Sequence, residues 1–314
     1  MQIFLLKLAV LNILGGLSIN FQNITLGQKA LFDKCFSQRR YENAHYNFTN
    51  LYMWRNLYSI KWAEVDGCLV IKAGRGEKQF MLQPFGPDAG IERILTEMAN
   101  YCTENNQVFR LSGIEKFMVD ILEKWRPGKF AITADRDNYD YVYNSRDLIE
   151  LKGRKYHSKK NHVNSFLRNY SNYQYIALTS EWVPRCVETQ IEWCRKKGCD
   201  DDAMLKGERD AIIEVLTHWN ELKLTGGLIY INEKVEAFSF GEQLNSDTAV
   251  IHVEKANPDI RGVYPVINQQ FCANAWRKLT YINREEDMGL EGLRKAKESY
   301  CPVKMVEKFI AILK

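Results

Sequence analysis

Between residues 226 and 256 the chain passes through three strand-length apolar runs, GGLIYIN, VEAFSFGEQ and TAVIHVEKA, joined by turns at residues 232–234 and 245–247. Turn-rich connections this short leave room for an antiparallel meander and for no intervening helix. Two helices are expected before it, over 186–196 and 208–222, the second with Ile212, Ile213, Leu216 and Trp219 on one stripe. After it come the loop ANPDIRG, a helix from about Val263, the strand LTYIN, a helix following Asp287, and a closing strand within PVKMVEKFIAIL. In the first of these helices Val263, Ile267, Phe271 and Ala275 recur every fourth residue, and Pro265 falls in the first turn, where its missing N–H is harmless. The spacing therefore predicts an α/β unit of two helices, three strands, and then helix, strand, helix, strand.

A chain of 314 residues has room for a second unit of similar size. Residues 25–32 and 49–57 read as helices, LVIKAG and QFMLQPFGP as strands, 91–101 as a helix, 107–111 as a strand and 114–125 as a helix stopped by Pro127. The expected organisation is an apolar N-terminal segment over 1–20, a first lobe over 21–150 and a second over 151–314. Hydrophobic residues at 46% and charged residues at 26% exclude a disordered chain and a multi-span membrane protein. The apolar run at 3–14 is too short to cross a bilayer and lacks a convincing cleavage site, so it reads as a helix on the protein body or as upstream translation. The eight cysteines show no C-x-x-C pair, and free thiols in a cytoplasmic protein are expected, with Cys194 and Cys199 the closest pair.

Net charge is only +4, so any attraction for a polyanion has to be local. The segment 152–168 supplies it: six Lys or Arg, namely Lys152, Arg154, Lys155, Lys159, Lys160 and Arg168, and no acid. Such a run is either a solvated helix face or a phosphate-attracting surface, with Arg154, Lys155, Lys159 and Lys160 as the candidate polyanion contacts. Further on, the loop PDIRGVY joins the third meander strand to a helix whose first N–H groups have no partner within the helix. Arg261 places a fixed charge there, and Gly262 removes a side chain from the path of a ligand.

The stretches HVEKANPDIRGVYPVINQQF and YINREEDMGLEGLRKAKESYCPV resemble the phosphatidylglycerol lysyltransferase C-terminal-domain family; LKGRKYHSKKNHVNSF and FGP do so more loosely. The resemblance runs from about Phe21 to the end and implies tandem GNAT-like acyltransferase lobes, each a mixed, mostly antiparallel sheet flanked by helices. It also implies that the second lobe carries the cleft, and that an aminoacyl group passes from charged tRNA to a lipid head-group hydroxyl. Coenzyme A-using GNAT enzymes usually follow the loop Gln or Arg with two spaced small residues. Here Val263 and Tyr264 follow Arg261 and Gly262, which argues against that cofactor. No run with the length of a membrane span is visible, so any membrane contact is expected to be peripheral.

His252 and Glu254 lie two apart on a predicted strand and are expected to share a face, one taking a proton from the attacking group and the other setting its tautomer. Lys255 would face the other way. Asn283, Arg284, Glu285 and Asp287 follow a strand end, where open sheets form ligand clefts. Glu285 and Asp287 suit an amino group and Arg284 a carboxylate or phosphate, with helix capping as the alternative use of Asp287. Gly289 and Gly292 are expected in the first helical turn. Arg294, Lys295 and Lys297 suit phosphates or surface ion pairs, Tyr264 donor binding, and Tyr300 either proton donation to a leaving group or core packing. The five dispersed histidines support no metal site, and without G-x-S-x-G a direct attack on the donor carbonyl is preferred. The reading is an acyltransferase moving an aminoacyl group from aminoacyl-tRNA to a small-molecule, peptide or lipid head-group acceptor. The alternatives are acetyl-coenzyme A-dependent N-acetylation of a small amine, and a binding module that keeps the fold without turnover.

Overall fold

The computed structural model describes residues 19–314, so the apolar run at 3–14 lies outside the described residues. The chain folds into two seven-stranded sheets flanked by helices. The first sheet comprises β1 (Gln22–Asn23), β2 (Lys61–Val65), β3 (Cys68–Ala73), β4 (Phe80–Met81), β5 (Arg110–Ile114), β6 (Phe130–Ala134) and β14 (Phe309–Leu313), in the order β1-β2-β3-β4-β5-β14-β6. The second comprises β7 (Asp140–Asn144), β8 (Gln174–Ala177), β9 (Thr225–Ile231), β10 (Lys234–Gln243), β11 (Thr248–Ala256), β12 (Tyr281–Asn283) and β13 (Lys304–Val306), in the order β13-β7-β12-β11-β10-β9-β8. Each sheet has a single parallel pair, β4 with β5 and β11 with β12, in an otherwise antiparallel ladder. This is the tandem, mixed-sheet GNAT-like architecture that the resemblance implied.

The helices used below are α1 (Lys29–Phe36), α2 (Phe48–Trp54), α3 (Ile91–Glu104), α4 (Lys116–Trp125), α5 (Ser145–Glu150), α6 (His157–Asn169), α7 (Val183–Lys196), α8 (Ala203–Thr217), α9 (Trp219–Leu222), α10 (Val263–Ala275) and α11 (Glu291–Glu298). One apolar cluster joins the lobes: Phe32, Phe48 and Leu51 from α1 and α2 pack in the same core as Ile212, Val215, Phe238, Phe240 and Val253. α10 covers the other face of the second sheet, where Val263, Val266 and Ile267 meet Ile229 and Ala237, while Phe271 packs with Ala249 and Ile251.

The expected closing strand is in fact two strands in different sheets. β13 pairs with β7 in the second, and β14 crosses back to lie between β5 and β6 in the first. Lys308, on the crossing, is fully buried and its ammonium lies 2.6 Å from Asp140 of β7. β7 itself precedes residue 151 but belongs to the second sheet, so strand pairing stitches the halves together in both directions. The free-thiol expectation fails at one pair: Cys194 and Cys199 are disulfide-bonded, with Cα atoms 5.3 Å apart.

Candidate active site

The central strands of the second sheet part company. β11 has nine residues, but only Thr248, Ala249 and Val250 pair with β12, opposite Tyr281, Ile282 and Asn283. The remainder of β11, through Ala256, therefore borders an opening on that side, at the carboxyl ends of two parallel strands, where open sheets bind ligands. Arg284 follows β12 directly and enters the opening. Its Nη2 donates to Glu254 of β11 at 2.9 Å, and its guanidinium lies 4.7 Å from the Tyr300 ring centre and 5.6 Å from that of Tyr143. Nη1 is buried and has no protein acceptor.

Three further groups complete the cleft. Asn268 of α10 donates to the other Glu254 oxygen at 2.9 Å, fixing the carboxylate from behind. Lys159 of α6 lies 4.1 Å from the Tyr300 ring centre, and burial together with Arg284 lowers its pKa. Lys297 of α11 donates to the carbonyls of Arg284 and Glu285, and burial next to Arg284 brings its pKa down to about 8. Tyr300 is buried, which raises its phenol well above the ordinary value, so it serves as an aromatic wall. Two cations, Arg284 and Lys159, thus gather at one carboxylate, Glu254, in a largely desolvated opening, with Lys297 holding the Arg284 and Glu285 carbonyls beside them, an arrangement suited to a phosphate or a developing oxyanion.

The expectation that His252 and Glu254 share a face is overturned, because His252 sits in a β-bulge. Gly241 opposes Ile251 and Phe240 opposes Val253, leaving His252 as the extra residue, and the period of two is broken there. A side chain at Gly241 would collide with the Val250 carbonyl, so glycine permits the bulge. Glu254 consequently meets α10 and Arg284, whereas His252 turns to Glu242 and Glu285, each 3.0 Å from one ring nitrogen. Burial alone would lower the imidazole pKa, but the two carboxylates outweigh it and raise the value to about 9. At neutral pH His252 is an imidazolium, and the expected role of proton acceptor is withdrawn. Lys255 bonds Glu208 of α8 at 2.7 Å.

The remaining candidates separate into structural and exposed groups. Asp287 does not cap a helix, since α11 begins at Glu291 with Leu290 before it. Its fully buried carboxylate accepts from Tyr141 at 2.6 Å, Arg294 at 2.9 Å and the Gly289 N–H at 2.8 Å. Despite burial, these donors hold it far below the usual carboxylate range, and they leave it unsuited to binding a substrate amine. Gly289 lies before the helix at φ +73°, and Gly292 alone occupies the first turn. Lys295 makes an exposed ion pair with Glu291. Asn283 is buried, donating to Asp140 at 3.1 Å and to the Glu42 carbonyl at 3.0 Å. Gly262, at φ +88°, is packed against α6: a Cβ there would fall 2.5 Å from the His162 carbonyl oxygen. The glycine thus admits a helix, not a ligand, while Arg261 and Tyr264 remain exposed beside it. On α6, Arg154 and Lys155 just before it and Lys160 within it are exposed, and Lys155 lies 3.5 Å from Asp147. Sequence reasoning missed Tyr143, Asn268, Glu242 and Asn50. Only Asn268, a lone amide among buried apolar residues of α10, left a signal in the pattern.

A family model described as Phosphatidylglycerol lysyltransferase, C-terminal matches residues 38–312. The chain belongs to that family. Among solved structures, a conserved protein of unknown function from Bacteroides thetaiotaomicron is 37% identical, with a TM-score of 0.88 over 95% of this chain and 100% of that one. L-PGS from Bacillus licheniformis shares the fold at 14% identity, with a TM-score of 0.65 over 95% of this chain and 94% of its own. An uncharacterised protein of Mycoplasmoides gallisepticum is 21% identical over 212 residues, 65% of this chain and 67% of that protein. Family and fold together make this an acyltransferase-type domain of the lysylphosphatidylglycerol synthase kind.

Proposed function

We propose that the domain transfers an aminoacyl group from aminoacyl-tRNA to the hydroxyl of a lipid head group, with the opening between β11 and β12 as the reaction site. The observation that carries this reading is the position of Lys159. It belongs to the helix that follows the exposed cations Arg154 and Lys155, and its ammonium reaches the Tyr300 and Arg284 cluster inside the cleft. One element therefore offers a track for a polyanion and ends at a site built for negative charge. In the reaction the acceptor oxygen bonds to the ester carbonyl carbon. The carbonyl oxygen gains charge beside Arg284, the ribose–carbonyl bond breaks, and the acceptor proton passes to the departing ribose oxygen. Fixed donors at such a site are worth about 2.7–4 kcal/mol each to the transition state.

Acetyl-coenzyme A fits less well as donor. A pyrophosphate would need open N–H groups at the start of α10, but the His162 carbonyl, an acceptor, is packed against Gly262 there. The family membership likewise favours a lipid acceptor over a small amine. Retention of charged tRNA on filters across a salt series tests the donor. The expected result is binding that weakens steeply with salt, and salt-independent or absent retention together with tight coenzyme A binding would reverse the assignment.

A further inference from the structure

We infer that His252 is a positioning residue: gripped by Glu242 and Glu285 and braced through Asn50 of the first lobe, it fixes the left-handed turn at Glu285 that delivers Arg284 into the cleft. The inference deepens the function proposed above and rests on the same cleft. Glu285 is a non-glycine residue at φ +59°, a left-handed conformation that persists only where the surroundings offset its cost. The enforcement is visible group by group. The Glu285 N–H donates to Asn283 Oδ1 at 2.8 Å, and its carbonyl accepts from the Tyr141 N–H at 3.1 Å and from Lys297 at 3.2 Å. Its side-chain Oε1 accepts from His252 Nδ1 at 3.0 Å and from Asn50 Nδ2 at 3.3 Å.

The neighbouring Arg284 has its N–H tied to the Tyr141 carbonyl at 2.9 Å, so its backbone is set by the same turn. His252 can serve both Glu242 and Glu285 only when both ring nitrogens carry protons. The ring reaches both because the bulge at Gly241 turns it away from Glu254, and the Glu254 carboxylate is thereby left to Arg284 and Asn268. Asn50 lies on α2, which packs in the core shared by both lobes, so the first lobe helps to aim the arginine of the second.

The test uses the full chain and follows the Arg284 Nε–H signal in a ¹H–¹⁵N spectrum, assigned by its loss in Arg284→Lys. In Glu285→Ala and His252→Gln the signal is expected to shift or broaden. The turnover rate for aminoacyl transfer should fall by about tenfold or more, while affinity for charged tRNA changes by less than about twofold. Glu285→Gln, which keeps an acceptor, should restore most of both readouts. An unmoved Arg284 signal in folded Glu285→Ala overturns the inference, and so does a loss confined to tRNA affinity. If His252→Gln does not fold, Glu285→Ala and Asn50→Ala carry the decision. If wild-type protein transfers nothing, the proposed function fails, while the Arg284 signal still decides whether His252 positions it.

Discussion

Arg284 does two jobs that lysine cannot combine. One nitrogen holds Glu254 while the guanidinium lies 4.7 Å from the Tyr300 ring centre and 5.6 Å from that of Tyr143. Arg284→Lys is therefore expected to lower transfer by about a hundredfold with the fold retained, measured as a single-turnover rate alongside a thermal melt. His252 gives a pH prediction whose sign follows from its raised pKa. The stabilisation is fully present below the unfolded value of 6.5 and is lost as pH rises through about 9. Urea unfolding across that window should show wild type losing on the order of 2–3 kcal/mol relative to His252→Gln, and parallel curves would contradict the clamp. At this scale the sequence showed which residue types gather after Val253 and after Asn283. It could not show who pairs with whom, because one bulge reverses the face of every later residue on the strand.

At the scale of elements, the long periodic segments were readable: α3, α4, α7, α8 and α10 and the meander lie where apolar spacing put them. β6 to β8 were not, since these four- and five-residue strands alternate weakly and two of them lie in the basic or polar middle of the chain. The basic run proved to be a loop and turn carrying Lys152, Arg154 and Lys155, followed by a helix whose inner face is closed by Val163 and Phe166 and which exposes Lys160 and Arg168. Replacing Lys155 and Lys160 with Glu should weaken charged-tRNA binding and flatten its salt dependence by roughly two charges' worth of slope, with circular dichroism unchanged. Gly262 marks the contact of this helix with α10. Gly262→Ala meets both a disfavoured φ and the His162 carbonyl, so a loss of about 1–3 kcal/mol is expected in chemical denaturation.

Across the whole molecule, strand exchange and a common apolar core make the two lobes one folding unit. Lys308 sits where the chain crosses between sheets, and its ammonium is neutralised by Asp140 at 2.6 Å and Glu286 at 3.6 Å. Removing one partner leaves a buried charge, so Asp140→Ala should cost about 3–5 kcal/mol and lower one shared unfolding transition. Two separate calorimetric transitions would contradict that unity. The sequence pattern gave no hint of the crossing, because a single apolar run spans β13 and β14 and pairing between distant strands leaves no local periodicity. The central claim is that transfer takes place in the opening between β11 and β12. It is tested most directly by the rate at which a labelled aminoacyl group passes from charged tRNA into extractable lipid, compared between wild type and Arg284→Ala. Product from wild type and a loss of at least about a hundredfold in the folded variant is the predicted result; equal rates in the two proteins would place the chemistry elsewhere.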